Sequence, residues 1–181
     1  RNDNYWGEMP IATSITCRVI PEGSARTIAL EAGEIDVVWS VDPTDCANVE
    51  SNPDVKLLSQ PSTGIDYVGM NTQKEKFSDK RVRQAINYAL DKQAFVDTII
   101  EGRGLVANSY INAAIPGWTD EVEAYPYDPE KAKELLAEAG YPDGFECSIF
   151  VNGDLRTRSA QILQAQLADV GIKVDISTSE W

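Results

Sequence analysis

Residues 65–95 read IDYVGMNTQKEKFSDKRVRQAINYALDKQAF, and three local signals follow one another within them. Ile65, Tyr67 and Gly69 alternate with Asp66, Val68 and Met70, the pattern of a mostly buried strand. Ser78 stands where a helix N-cap belongs, since its hydroxyl can accept from the free N–H groups of a first turn. Phe77 before that cap and Val82 four residues after it have the spacing of a hydrophobic staple. Val82, Ala85, Ile86, Ala89 and Leu90 then form one apolar helical face. Asp91 caps a second helix with an inner face of Phe95, Ile99 and Ile100, which Gly102 ends.

The totals narrow the function classes. A chain of 181 residues with 43% hydrophobic and 25% charged residues holds one or two globular domains with a real core. No run approaches the roughly 20 apolar residues of a membrane span. The net charge of −13 argues against nucleic acid and against anionic lipid surfaces. Histidine is absent, which removes Ser-His-Asp and Cys-His catalysis and histidine metal sites. Cys17, Cys46 and Cys147 are an odd number without a C-x-x-C pair. Cys17 and Cys147 fall at apolar strand positions, where a buried, unreactive thiol is expected. Cys46 falls in a helix, and its pairing with either stays open. The chain opens on Arg1 rather than Met and is expected to be a segment of something longer.

Either side of residues 65–95 the pattern is α/β. Residues 13–40 predict a β-α-β unit: Ile15, Cys17 and Val19 alternate, Ser24 caps a helix with the face Ala25, Ile28, Ala29 and Ala32, Gly33 stops it, and Ile35 to Trp39 return as a strand. Asp42-Pro43 opens a short helix ending near Asn52-Pro53, and Val55 to Ser59 form a short strand. Residues 102–127 carry Gly, Pro, Asn and aromatics without a period, a long loop that is functional or packed by its own side chains. Asp128-Pro129-Glu130 opens a helix with the face Ala132, Leu135, Leu136 and Ala139, closed by Gly140 and Pro142. A second β-α-β unit follows: Phe145, Cys147, Ile149 and Val151, then a helix through Ile162, Leu163 and Leu167 capped by Asp154, then Ile172, Val174 and Ile176.

Four blocks of this text are similar to the extracellular solute-binding proteins of family 5. The first is Tyr67, Gly69 and Asn71, followed by Phe77, Asp79, Arg81 to Arg83, Ala85, Tyr88, Ala89 and Asp91. The second is S-A-R-T-I-A-L-E-A-G-E-I-D-V from Ser24, the third Y-P-Y-D-P-E-K-A-K-E-L-L-A-E-A-G-Y-P-D-G-F at 125–145. The fourth is Q-A-Q-L-A-D-V-G-I-K-V at 164–174, with Glu180-Trp181 beyond it. The resemblance covers nearly the whole chain but only the middle of the family's longer protein. It implies an α/β fold of the type II periplasmic-binding-protein kind, with β-α-β units from two lobes. Residues 1–65 would belong to the first lobe, with a crossover near Gln60 to Gly64. Residues 66–181 would begin the second lobe, truncated at its C-terminal side.

The same resemblance implies a function: the receptor of an ABC importer that captures a short peptide by hinge closure and delivers it to permease subunits. The setting would be the periplasm or the outer face of the membrane, with any lipid anchor outside this segment. The other readings are nickel chelates or oligosaccharides on the same fold, or a signalling receptor uncoupled from transport. Tyr67 and Asn71, on the run that leaves the hinge, are the first candidates for ligand contact. Asn108, Tyr110 and Trp118 in the long loop follow. The acidic residue that pairs with a peptide's α-ammonium in family members has no counterpart here. A fragment with one cleft wall is expected to bind weakly by itself.

No catalytic, metal or cofactor site is predicted. Lys80, Arg81 and Arg83 at a helix start read as structural ion pairs. Gly102-Arg103-Gly104 ends a helix rather than opening one, against a phosphate loop. Asn152-Gly153-Asp154 is a turn without the ligand repeat of a calcium loop. Glu121 and Glu123 have no nucleophile or oxyanion hole beside them, and no nucleophile elbow exists for a hydrolase.

Overall fold

The computed structural model describes residues 1–179; Glu180 and Trp181, which close the fourth similar block, lie outside the described residues. Two compact units are present, Arg1–Leu58 and Ser59–Trp181.

In the first unit, α1 (Gly23–Glu31) starts one residue before Ser24, with Glu22 at the N-cap and no side-chain cap. The Ser24 hydroxyl is inside the first turn and donates to Asp45 Oδ1 at 3.3 Å. Helix α1 ends in a left-handed cap at Gly33, whose N–H reaches Leu30 O while that of Glu34 reaches Ala29 O. Its buried residues are Thr27 and Ala29; Ala25, Ile28 and Ala32 of the expected face are exposed. The helix turns Thr27 inward because its hydroxyl donates to Asp45 Oδ2 (3.5 Å). That carboxylate lies in a short 3-10 turn (Pro43–Asp45) that leads into α2 (Cys46–Ser51), with Asp42 capping as expected through Thr44 N–H. Arg26 ties the flanking segments to the helix: it donates to Ile20 O and Pro21 O at 2.9 Å and to Ser40 O at 3.1 Å.

The runs Ile15–Val19, Ile35–Trp39, Val55–Ser59 and Ile65–Met70, each expected as a strand, have no ladder among the described residues. Alternation specifies which side chains share a face, but a strand also needs a neighbour to take its N–H and C=O groups. Without one, Val19 is 89% and Trp39 90% exposed. Cys17 is therefore exposed rather than buried; Cys147 is half-buried, and Cys46 is buried with its thiol donating to Asp42 O at 3.6 Å.

The second unit holds the main core. After α3 (Glu75–Ser78), helix α4 (Lys80–Ala89) is capped by Asp79 rather than Ser78. Ser78 ends α3, its hydroxyl donating to Glu75 O, so the carboxylate of Asp79 takes Arg81 N–H at 2.8 Å. With Asp79 at the cap, Phe77 and Val82 no longer have the staple spacing, and Phe77 stands edge-on to Phe145 at 6.0 Å. Asp91 caps α5 (Lys92–Ile99) through Ala94 N–H. The buried face of α5 is Val96 and Ile99, with Phe95 packed at the margin. Asp128 caps α6 (Pro129–Glu138), which Gly140 ends in the same way as Gly33 ends α1. Strand β1 (Phe145–Val151), helix α7 (Asp154–Ala168) and strand β2 (Ile172–Thr178) complete the unit. Asp154 is the first helical residue, not the cap; Gly153 fills that place with φ of 72° and no side chain to offer.

Strands β1 and β2 pair in parallel from Phe145↔Ile172 to Val151↔Thr178, with α7 as the crossover. They enter side by side through Gly144 and Gly171, both at positive φ, and a Cβ on Gly144 would overlap the Gly171 carbonyl. Val82, Ala85, Ile86, Ala89 and Leu90 meet Ala132, Leu136, Leu163, Leu167, Val170, Ile172 and Val174 in one buried cluster. Arg81 closes its edge: it grips the Asp79 carboxylate and donates to Glu138 O at 2.7 Å, so the start of α4 caps the end of α6. Arg83 donates to Phe77 O and Ser78 O.

Two measurements probe this core. Leu136 is 1% exposed, and Leu136→Ala should lower the urea-unfolding free energy by about 2–5 kcal/mol through the cavity it leaves. The Arg81 side chain, then the Arg81 backbone N–H, lowers the Asp79 carboxyl from 3.8 to about 2. A folded-state value below the unfolded one stabilises fully above 3.8, and that stabilisation is lost as pH falls through about 2. Asp79→Asn should flatten the fall of the urea midpoint across that window.

Candidate functional site

Two of the five candidate residues come together. Tyr67, in the ladder-free run, and Tyr110, in the long loop, lie with ring centroids 5.2 Å apart at 65°, an edge-to-face pair. Both are exposed. Asn112 Nδ2 donates to Gly64 O at 3.2 Å and holds the loop against the same run. Asn108 is exposed two residues before Tyr110. Asn71 turns its side chain onto its own backbone, Oδ1 accepting from Gln73 N–H at 3.0 Å. Trp118 sits in a separate turn closed by its N–H on Ile115 O, with no ring contact to the tyrosine pair among the described residues.

The loop that carries Tyr110 is anchored at both ends. Arg103 N–H donates to Ile100 O at its start. At its return, half-buried Lys92 donates to Asn87 O (3.1 Å) and Tyr125 O (3.0 Å), Tyr88 stands edge-on to Tyr125 at 5.2 Å, and Asp128 N–H donates to Tyr88 O. Burial pushes the Lys92 ammonium down from its ordinary value, a cost that the two carbonyls offset.

A third group comes from far along the chain and was missed in the sequence. Arg156, in the first turn of α7, donates from Nη1 to Asn152 Oδ1 at 3.0 Å, and its Nη2 stands 3.9 Å from Asp66 Oδ1, beside Tyr67. The available signal was topological: a cation on the first turn after a parallel strand stands at the strand's carboxyl end, where open α/β sheets take their ligands. The tyrosine pair offers two phenol groups and aromatic edges, Arg156 a guanidinium next to Asp66, and residues 65–69 a backbone outside any ladder. This set suits non-covalent capture of a polar chain molecule. No group of three or more His, Cys, Asp or Glu side chains able to hold a metal occurs among the described residues.

The hydrogen bond to Tyr67, followed by repulsion from a Tyr67 phenolate, raises the Tyr110 phenol above its ordinary value. Tyr67→Phe should shift one tyrosine ionisation to lower pH in an ultraviolet tyrosinate titration. An unchanged curve would mean that the pair does not form.

A family model described as bacterial extracellular solute-binding proteins, family 5 Middle, matches residues 1–181. Heme-binding protein A of Haemophilus influenzae is 37% identical over 187 residues, which cover 99% of this chain and 34% of that protein. The dipeptide-binding protein of Escherichia coli is 34% identical, covering 99% of this chain and 35% of the relative. Among solved structures, the ABC transporter-associated periplasmic binding protein DppA from Helicobacter pylori, in complex with peptide STSA, superposes with a TM-score of 0.88. It is 32% identical, and the match covers 99% of this chain and 35% of that one. The chain thus spans about a third of the length of the relatives it matches.

Proposed function

Because the chain belongs to the bacterial extracellular solute-binding proteins of family 5, we propose that its full-length protein is the receptor of an ABC importer and captures a short peptide. The family is periplasmic or extracellular, its fold is that of the type II periplasmic binding proteins, and its members bind solutes rather than transform them. No helix among the described residues is long and apolar enough to cross a membrane.

The observation that carries the peptide reading is the exposed Tyr67–Tyr110 pair beside a run whose backbone has no ladder. A peptide brings its own alternating N–H and C=O groups, which an unpaired extended run accepts as a strand would. Aromatic rings then wall its side chains with little entropy loss. Arg156 presents a planar fork that fits a carboxylate in two parallel hydrogen bonds. In this reading residues 1–65 contribute to one lobe and 66–181 to the other. Hinge closure around the ligand creates the surface that permease subunits recognise. A second reading is haem, supported by the 37% identical heme-binding relative.

Calorimetric titration of the full-length protein with di- to pentapeptides should give saturable binding. Arg156→Met should weaken it by roughly tenfold or more, the value of a charged hydrogen bond. Haem binding seen by its absorbance band, with no heat from any peptide, would overturn the peptide reading in favour of the second.

A further inference from the structure

Asn152 stands between β1 and the N-cap of α7 and is followed by Gly153; no other asparagine in the chain precedes a glycine. We infer that Asn152–Gly153 is a site of spontaneous deamidation, activated by Arg156. The inference stands independently of the ligand reading.

Three features meet at this turn. Gly153 carries no side chain, and open space lies where one would project, so no side-chain bulk hinders closure of the ring. Its N–H has no acceptor among the described residues, as at any helix start: the first bond of α7 is Thr157 N–H to Gly153 O. Arg156 Nη1 donates to Asn152 Oδ1 at 3.0 Å. A guanidinium on that oxygen draws electrons from Cγ and stabilises the negative oxygen that forms when Cγ is attacked.

The chemistry balances with water alone. The Gly153 nitrogen gives its proton to hydroxide, and its electron pair forms a bond to Cγ of Asn152. The Cγ–Nδ2 bond breaks, and the amide leaves as ammonia after taking a proton from water. Water then opens the five-membered imide at either carbonyl, breaking one C–N bond and leaving aspartate or isoaspartate. One side-chain amide and one water become one carboxylic acid and one ammonia, without oxidation or reduction. The new carboxylate lies against Arg156 and near Asp66, and the isoaspartate product adds a backbone methylene between β1 and α7.

The test is peptide mapping of the folded chain during incubation at mildly alkaline pH, with isoaspartyl methyltransferase labelling. The peptide that contains Asn152 should gain the mass of an amide-to-acid exchange before any other asparagine peptide. Arg156→Gln, a change at an exposed side chain, should slow that gain by about tenfold, the rate equivalent of one charged hydrogen bond. Asn152→Ser should abolish the methyltransferase label. Earlier conversion elsewhere, an unchanged rate in Arg156→Gln, or faster conversion of Asn152 in urea than in the folded chain would each overturn the inference.

Discussion

The second unit depends on how closely α4 can sit on α6. Ala85 and Ala89 on one helix and Ala132 on the other are essentially inaccessible, and small side chains at all three let the two backbones approach. That approach brings Glu138 O within reach of Arg81 and Tyr88 O within reach of Asp128 N–H. It also sets Lys92 beneath Tyr125. The loop that leaves α5 is thereby fixed where it returns, and the only freedom left to it is in its middle. There Asn112 and Tyr110 close on Gly64 and Tyr67. A helix contact made by alanines thus decides where an exposed tyrosine stands.

The periodic helices were legible because period and burial are the same information: Val82, Ala85, Ile86 and Ala89 are spaced by the helix and buried by it. Caps were legible only where one oxygen competed for the first turn, as at Asp42, Asp91 and Asp128. At Ser78 a carboxylate one residue later was the stronger acceptor. The caps at Ser24 and Asp154 failed because the helix already includes the polar residue in its first turn. Alternation at Ile15–Val19 or Ile35–Trp39 gave a face but no neighbour, so those runs lack strand hydrogen bonds. Tyr67, on an expected strand, and Tyr110, in the long loop, were each legible as candidates for ligand contact. Their contact, and the approach of Arg156 to Asp66, depend on the route of the chain between them, which no local pattern encodes.

The cations separate the framework from the site. In a chain of net charge −13, carboxylates are abundant partners. Even so, Arg26, Arg83 and Lys92 spend their donors on backbone carbonyls at segment ends, and Arg81 and Lys76 each reach one as well. Those carbonyls are the groups left without partners when a helix or run stops, and a charged donor satisfies them better than water in a half-buried position. Cations used in this way are structural, and removing them would loosen the ends of elements. Arg18, Lys131 and Lys133 instead meet carboxylates at 2.8–3.0 Å, and Arg156 differs from both groups. Its partners are side chains, one a neutral amide at 3.0 Å and the other a carboxylate only at 3.9 Å, too far for a hydrogen bond.

In the proposed peptide receptor, a guanidinium so incompletely engaged, at the carboxyl end of a parallel strand, would keep donors for an incoming carboxylate. Asp66 limits how much it gains from capturing one: its negative charge already relieves part of the guanidinium's field and repels an arriving anion. Both groups are exposed, so water screens that repulsion, while a ligand that excludes water would strengthen its own contact with Arg156 and the repulsion from Asp66 together. A carboxylate carried on a zwitterionic chain meets this arrangement better than a bare anion does, because its ammonium end gains from the surrounding acidity while its carboxylate uses the one local cation. The same balance makes a neutral residue at 152 matter, since an additional negative charge there would occupy the donors that remain.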